Sequence, residues 1–289
     1  MRVSNPLLVG LALMITAGCG ESSDAFAPPE PFRLIWSQEF DGDAGSSLDR
    51  SIWNIEIGRG PNNDGYGNNQ LEFTTEQTDN VSLDGNGNLA ITALRQDFAG
   101  QRYTSGRINT QDNFSHRYGR IEARIKLPVG LGIWPAFWML GADFSQVGWP
   151  QTGEIDIMEY RGQDPQVVIG SVHGPGYSGG GAISRNFRLD SEQGFDADFH
   201  VFAVEWDPSR IAWWVDNQAY GFVNAQDVNA RGEWVFDDPF FILLNLAVGG
   251  TFVGGAVGPD SIFPQTMLVD YVRVFERTEP PALPGGPPS

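Results

Sequence analysis

The alternation of polar and apolar residues is the pattern that most constrains the fold of this 289-residue chain. From Arg120 to Leu127 charged and apolar residues alternate without a break, which predicts a β-strand with one face in solvent. Similar short runs recur between residues 32 and 277, where long stretches with a 3.6-residue period are absent. We therefore expect an all-β protein.

Further runs in the second half of the chain predict strands joined by tight turns. They are Phe199–Trp206, Arg210–Val215, Ala219–Val223, Phe240–Ala247 and Leu268–Phe275. The 36 glycines and 19 prolines separate these runs at the spacing typical of an all-β sandwich. We expect one such domain over residues 32–277, with a concave exposed face where side chains from several strands converge.

The N-terminus has the pattern of an export signal. Residues 1–19 combine Arg2, an apolar run and small residues before Cys19, and the run is too short for a membrane span. Because Thr16-Ala17-Gly18-Cys19 resembles a bacterial lipobox, we expect Cys19 to carry lipid and to anchor an exported protein to the cell envelope. Cleavage after Ala25-Phe26-Ala27 is the alternative and would give a secreted protein.

Two segments of low complexity flank the predicted domain. Residues 20–31 have the composition of a flexible tether and residues 278–289 that of a disordered tail. Cys19 is the only cysteine, so no internal disulfide is possible and the core must supply the stability. We expect a monomer.

Charge and motifs exclude several classes of function. With 18 basic and 36 acidic residues the net charge is −18, so nucleic acid and anionic lipid would be repelled. The sequence contains no nucleophile elbow, phosphate-binding loop or zinc-protease motif, and His116, His173 and His200 lack zinc-ligand spacing. Serine-hydrolase, nucleotide and zinc chemistry are therefore disfavoured.

The stretch Gly153–Tyr160 places three carboxylates in six residues that otherwise resemble a buried strand. Glu154 and Asp156 share one face of a regular strand, whereas Glu159 would point to the other. One β-bulge between Asp156 and Glu159 would turn all three acids to one surface. Acids on a solvated strand are the alternative, but three within six residues would repel one another unless they were used.

Two carboxyl groups that lean toward each other across a concave sheet suit glycoside hydrolysis. A separation of about 5–5.5 Å lets one carboxylate attack the sugar while the other transfers the proton. Asp156 between them would couple to both titrations. Trp134, Trp138 and Trp149 precede Glu154 by at most twenty residues, and aromatic faces stack on sugar rings. Further polar candidates are Asn68, Arg107, His173 and Asn245.

At this point the chain resembles the laminarinase-type endo-β-1,3-glucanases of glycoside hydrolase family 16. The segments that carry the resemblance are Trp36–Gly42, Gly65–Asn69, Tyr103–Ile108, Gly132–Leu140, Glu154–Glu159 and Val269–Val274. The resemblance implies a β-jelly-roll of two antiparallel sheets with a concave substrate cleft. It also implies retaining hydrolysis of β-1,3-glucan, with Glu154 as nucleophile, Asp156 assisting and Glu159 as acid/base.

The same resemblance implies further site residues. Sugar contacts are expected from Asn68, Arg107, Trp134, Trp138 and His173. The chemistry needs no cofactor, and a structural calcium would be held by the main-chain carbonyls of Glu39 and Gly87 and the carboxylate of Asp270, oxygen ligands that suit calcium.

The chain departs from the family at one segment. Where the family often has Asn-Asn-Glu-Leu-Gln, this chain has Asn68-Asn69-Gln70-Leu71-Glu72. Three alternatives stay open: a mixed-linkage β-1,3-1,4-glucanase, an agarase-like or carrageenase-like relative, and a non-catalytic glucan-binding jelly roll. The intact Glu154 and Glu159 disfavour a binding module, because binding needs no proton transfer.

Overall fold

The structure is a computed structural model that describes residues 31–279. The predicted signal segment with Cys19, the tether up to residue 30 and the tail from residue 280 lie outside the described residues.

Two stacked sheets make up the described part of the chain, and their strands are numbered β1 to β17 in chain order. The larger sheet contains β1 (Phe32–Gln38), β3 (Glu72–Thr74), β4 (Val81–Leu83), β5 (Leu89–Phe98), β6 (Gln101–Ser105), β8 (Gly119–Lys126), β13 (His200–Asp207), β14 (Arg210–Val215), β15 (Gln218–Asn224) and β17 (Gln265–Arg277). The smaller sheet contains β2 (Asn54–Ile55), β7 (Arg107–Asn109), β9 (Ile133–Gly141), β10 (Glu154–Tyr160), β11 (Val167–His173), β12 (Ile183–Arg188) and β16 (Phe240–Val248).

The topology is that of the expected β-jelly-roll sandwich. The strand order of the smaller sheet is β12-β11-β10-β9-β16-β7-β2, so strands distant in sequence pair side by side. All pairings are antiparallel except that of β3 with β6. The fold class expected from the sequence is therefore confirmed.

Within the described residues helical structure is limited to short segments. They are α1 (Phe144–Val147), α2 (Ala225–Asn229), single turns at Gly179–Gly181 and Asp260–Ile262, and a distorted turn at Gly65–Asn69. Within residues 31–279 no helix is long and apolar enough to cross a membrane.

The main core lies between the two sheets. Alternate side chains of β16 face this core and the opposite side of the smaller sheet. Ile242, Leu244 and their alternate neighbours join the main core, where each is about 1% exposed or less. Phe241 and Leu243 join a second apolar cluster with Leu140 on the opposite face. The smaller sheet therefore has an outer face that is partly apolar, and the candidate site lies on that face.

The alternating run at β8 does not have the solvated face expected from the sequence. Arg120 and Glu122 are both 0% exposed. Arg120 donates from Nε to Glu122 at 2.7 Å and from Nη1 to Glu205 of β13 at 3.2 Å. The prediction of a wet face was wrong for Arg120 and Glu122, whose charges pair with each other and with Glu205 of the neighbouring β13. Farther along the strand Arg124 is 27% exposed.

The five strands predicted in the second half of the chain correspond to β13–β17, and the prediction of Arg210–Val215 matches β14 at both ends. The last one is longer than predicted, since β17 runs from Gln265 to Arg277. Its length follows from its partners: β5 and then β1 pair along one side, while β8 pairs along the other.

Candidate active site

A β-bulge in β10 brings the three acids to one face. Between Asp156 and Glu159 β10 advances three residues, while its neighbours β9 and β11 each advance two. Ile157 and Met158 are both buried, at 1% and 0% exposed, so the extra residue is accommodated on the core side. The predicted bulge is confirmed, and its effect is to turn Glu159 toward the side of Glu154 and Asp156.

His173 lies opposite Glu154 on β11 and next to the acids. Its Nε2 is 3.1 Å from Asp156 Oδ2 and 3.6 Å from Glu154 Oε1. Its Nδ1 accepts the backbone N–H of Gly179 at 3.0 Å. This hydrogen bond assigns the proton of the neutral imidazole to Nε2, the nitrogen nearest the carboxyl groups.

The ligand atoms of Glu154, Asp156 and His173 lie within 4.8 Å of one another, a spacing at which they could hold a metal ion. The tautomer of His173 explains the clustering of these groups without a metal ion, because its Nε2–H group is attracted electrostatically to the two carboxyl groups beside it.

Burial raises the pKa of all three acids above the usual carboxyl range. The side chains of Glu154 and Asp156 are only 16% and 5% exposed. Burial is the largest cause for each acid, and the charge of Asp156 raises the pKa of Glu154 and Glu159 further. The cluster therefore retains protons at neutral pH, as a site with one acid and one base requires.

Trp134 and Trp138 on β9 flank the acids. Trp134 donates from Nε1 to Glu159 Oε1 at 3.1 Å and is only 7% exposed. Trp138 donates from Nε1 to Asn245 Oδ1 at 2.8 Å. Both predicted tryptophans thus lie at the site, and Asn245, a further candidate from the sequence, fixes the plane of Trp138.

Arg107 on β7 lies on the same face as Trp138. Its guanidinium lies 4.8 Å from the Trp138 ring and 4.3 Å from the Tyr66 ring. Its Nε is 3.0 Å from Glu56 Oε1, and the side chain is 10% exposed. Asn109 donates to the same oxygen of Glu56 at 2.9 Å. The predicted arginine is therefore held rigidly beside the aromatic wall.

Asn68 and Trp149 lie at opposite rims of the site. The main-chain oxygen of Asn68 accepts from Thr251 at 2.8 Å, in the loop that borders Trp134. The Trp149 ring is 44% exposed, and its centroid is 6.0 Å from that of His173. An exposed indole beside the acids suits stacking on a sugar ring.

The two positions that depart from the family pattern, Gln70 and Glu72, contact protein rather than solvent. Gln70 and Glu72 are 4% and 2% exposed. Glu72 Oε2 accepts the N–H of Val248 at 2.8 Å, and Gln70 accepts from Arg59 through its main-chain oxygen. Burial, the largest cause, raises the pKa of Glu72 to about 7. The segment therefore stabilises the end of β16 below the cleft.

The three residues expected to hold calcium lie far from the acids in the fold. Gln38 pairs with Val272 and Leu89 with Val269, so Glu39 and Gly87 come near Asp270 from two strands. Such a junction can supply the oxygen donors that calcium prefers. Asp270 Oδ2, however, accepts from Arg124 Nη1 at 2.6 Å, so a bound calcium would share this carboxylate with a guanidinium.

Three residues at the site were not found from the sequence. Glu56 pairs with Arg107, Phe252 stacks on Trp134, and Arg161 lies over Phe252. Glu56 and Phe252 are remote in sequence from the residues they contact, and none of the three belongs to a recognisable motif. An isolated glutamate, phenylalanine or arginine does not by itself indicate that the residue belongs to a site.

Comparison with known proteins agrees with this geometry. The sequence profile of glycosyl hydrolases family 16 matches residues 65–272. A glucan endo-1,3-beta-glucosidase A1 of Niallia circulans is 40% identical over 265 residues, which cover 84% of this chain and 38% of that protein. A beta-glucanase of Rhodothermus marinus is 38% identical, and the match covers 92% of this chain and 93% of that protein.

A solved structure shows the same fold. The endo-beta-1,3-glucanase of Pyrococcus furiosus superposes with a TM-score of 0.80 at 44% sequence identity, covering 86% of this chain and 96% of that one. With the profile match and these relatives, the chain belongs to glycosyl hydrolases family 16.

Proposed function

We propose that this protein is an exported, endo-acting hydrolase that cleaves β-1,3-glucan with retention of the anomeric configuration. The observation that carries the proposal is the bulged strand β10, which presents Glu154, Asp156 and Glu159 on one face between His173 and Trp134. The names of the relatives support the substrate, since two of those compared are endo-1,3-β-glucanases and the third is a β-glucanase.

Each acid has a separate role in this mechanism. Glu154 attacks the anomeric carbon and forms a glycosyl ester, while Glu159 donates a proton to the departing glycosidic oxygen. Glu159 then removes a proton from the water that hydrolyses the ester. Asp156 and His173 lie beside Glu154 and adjust its charge as the ester forms and breaks.

The surroundings suit a glucan chain that crosses the smaller sheet. Trp138, Arg107 and Asn245 lie on one side of β10, on β9, β7 and β16. On the other side of β10, His173 lies on β11 beside the acids. The ring of Trp149, in the segment just before β10, lies near the His173 ring. Since binding residues extend across several strands, the cleft fits cleavage within a chain rather than removal of terminal glucose.

Three further statements are part of the proposal. The export signal and the cysteine at its end support attachment of Cys19 to lipid and location on the cell envelope. Glu39, Gly87 and Asp270 support a structural calcium that takes no part in the chemistry. The protein is proposed to act as a monomer.

Product analysis on laminarin, lichenan, agarose and carrageenan tests the function. We expect laminarin to be cleaved fastest, with a broad set of shortened chains early in the reaction and β-anomeric products by NMR at the first time points. Faster cleavage of lichenan would indicate a mixed-linkage enzyme, and faster cleavage of agarose or carrageenan one of the other relatives. Binding of laminarin without any cleavage would indicate a glucan-binding module, and α-anomeric first products would contradict retention.

A further inference from the structure

The indole of Trp134 determines which oxygen of Glu159 can carry a proton. Trp134 Nε1 donates to Glu159 Oε1 at 3.1 Å. An indole N–H is only a donor, so it bonds favourably only to an oxygen that bears no proton. When Glu159 is protonated, its hydrogen therefore resides on Oε2.

A layered stack holds the indole in this orientation. The rings of Trp134 and Phe252 are stacked, with centroids 4.9 Å apart and planes 29° from parallel. On the ring of Phe252 lies the guanidinium of Arg161, 4.2 Å from the ring centroid. Arg161 Nε also donates to the main-chain oxygen of Phe252 at 2.9 Å, which fixes the loop that carries the ring.

Close packing around the stack leaves the indole little freedom. Ala247 and Val253 complete a small apolar cluster with Trp134. At Gly250 an added Cβ would lie 3.2 Å from Trp134 Cζ3, closer than ordinary van der Waals contact. Gln163 donates to the main-chain oxygen of Val253 at 3.1 Å and so holds the loop at a second point.

We propose that Trp134 is a positioning residue for the acid/base, which keeps the transferable proton of Glu159 on Oε2, and that Phe252 and Arg161 hold Trp134 in place. This inference rests on the proposed role of Glu159. In the first step the proton passes from Oε2 to the glycosidic oxygen, and the carboxylate left behind keeps the indole hydrogen bond at Oε1. Trp134 thus stabilises the form of Glu159 that results from proton transfer.

The test compares two substrates in Trp134→Phe, which keeps a ring and removes the donor. One substrate is laminarin, whose leaving group needs a proton; the other is an activated aryl β-glucoside, whose leaving group does not. We expect kcat/KM on laminarin to fall about tenfold more than kcat/KM on the aryl glycoside, a smaller effect than the 10²–10⁴-fold that a whole acid–base group contributes. Loss of a sugar contact by Trp134 would lower both values alike, so the ratio of the two values reports on the proton transfer alone.

The pH profile gives a second reading that a purely structural role would not change. Without the indole hydrogen bond the ionised form of Glu159 is less stable, so its pKa rises and the alkaline limb of kcat/KM on laminarin moves up by roughly one pH unit. The other charged groups that act on Glu159 are Glu154 and Asp156 on its own strand, His173 on β11 and Arg161 after β10. All four are unchanged in this variant.

Phe252→Leu extends the test to the stack, and Phe222→Leu is its matched control. Phe222 of β15 also lies under a guanidinium, that of Arg210, at 4.2 Å, and is 46% exposed on the larger sheet. Phe252→Leu should show a smaller loss on laminarin than Trp134→Phe and a smaller upward shift of the alkaline limb, and Phe222→Leu should show neither. If Trp134→Phe does not fold, Phe252→Leu in the partly exposed loop gives the same two readings.

Glu159→Ala separates failure of this inference from failure of the proposed function. If Glu159→Ala loses kcat/KM on laminarin and keeps kcat/KM on the aryl glycoside, a value that reports only the first step, Glu159 is the acid/base. Equal losses on both substrates in Trp134→Phe, with an unmoved alkaline limb, would then overturn the positioning role alone. If Glu159→Ala instead affects both substrates equally, the acid/base assignment is wrong and the positioning role is wrong with it.

Discussion

At the scale of single residues, buried carboxyl groups provide the proposed chemistry and part of the pH response. Glu154, Asp156 and Glu159 lie in one cluster where burial raises the pKa of each. Glu72 is buried too, but it accepts a main-chain N–H and lies away from the bulged strand. The same physical cause therefore serves the proposed catalysis at one place and affects only stability at the other.

The two glutamates should be distinguishable by rescue with azide. Glu154→Ala lacks the nucleophile, so it should be nearly inactive, and azide should attack an activated β-glycosyl donor directly to give an α-glycosyl azide. Glu159→Ala still forms the intermediate from an activated donor, and azide should open it to give a β-glycosyl azide. NMR of the two products measures the outcome, and the opposite pair of anomers would exchange the roles of the two residues.

Glu72→Gln should stabilise the protein at high pH. The pKa of Glu72 rises from its ordinary value of 4.5 to about 7, so its stabilising contribution is complete below pH 4.5 and is lost as the pH rises through 7. Glutamine keeps an oxygen for the Val248 N–H and cannot ionise. Urea unfolding should therefore show the variant roughly 3 kcal/mol more stable than wild type at pH 8, relative to their difference at pH 4.5.

The matched control for Glu72→Gln is Glu76→Gln, whose side chain is 59% exposed. It should change stability by less than about 0.5 kcal/mol, because it removes only an exposed ion pair with Arg50. A stability difference between Glu72→Gln and wild type that is constant from pH 4.5 to pH 8 would contradict a raised pKa for Glu72.

At the scale of elements, the bulge of β10 decides where the acids point. A regular strand would turn either Glu159 or the pair of Glu154 and Asp156 into the core. The bulge places Ile157 and Met158 together on the core side instead. The function of this strand thus depends on one irregular step and not only on its residue types.

Deletion of Met158 should leave the three acids on one face. The shortened strand alternates regularly and spans the two residues by which β9 and β11 advance, so Glu159 stays on the cleft side opposite the same neighbours. Deletion of Ile155, also fully buried, keeps the bulge but turns Glu154 into the core. Both deletions remove one buried aliphatic side chain and should cost several kcal/mol of stability.

Activity distinguishes the two deletions. We expect measurable cleavage of an activated aryl β-glucoside after deletion of Met158 and none after deletion of Ile155, with circular dichroism to show that both proteins fold. Equal activities in two folded deletion proteins would mean that the bulge does not set the orientation of the acids.

At the scale of the whole molecule, strands from both ends of the described chain meet in the larger sheet. β1 pairs with the second half of β17, and β5 pairs with its first half. Asp270 lies between these two halves, at a bulge where β17 slips one residue against β8. A cation there would join the N-terminal and C-terminal strands of the domain.

Calcium should therefore act on the stability of the whole domain and not on the chemistry. Because an ion that binds only the native state stabilises it by mass action, saturating calcium should contribute on the order of a few kcal/mol. A chelator should lower Tm in a calorimetric scan, while cleavage of laminarin at room temperature stays nearly constant. Asp270→Asn should weaken the response to calcium. A Tm that is unchanged after verified removal of metal would rule the site out.

The sequence by itself determined the fold class, the approximate positions of the strands in the second half and both ends of β14, and it singled out the three acids of β10 as candidates. Alternation shows which residues occupy opposite faces of a strand, and it predicted both ends of β14 (Arg210–Val215) correctly. The carboxylates of β10 were recognisable because three acids within a buried strand conflict with its hydrophobic pattern. Because side chains alternate with a period of two along a strand, the three-residue spacing from Asp156 to Glu159 also predicted the bulge.

Only the tertiary structure decided what lies against each face. Alternation could not tell that Arg120 and Glu122 on the charged face of β8 are buried, because burial depends on the neighbouring strands and their charges. Nor could it show that Phe252 covers Trp134, since these residues are remote in the chain and meet only after the sheets pack. The period of a strand is a local property that the sequence carries, whereas the contacts of a side chain are set by segments that arrive from elsewhere.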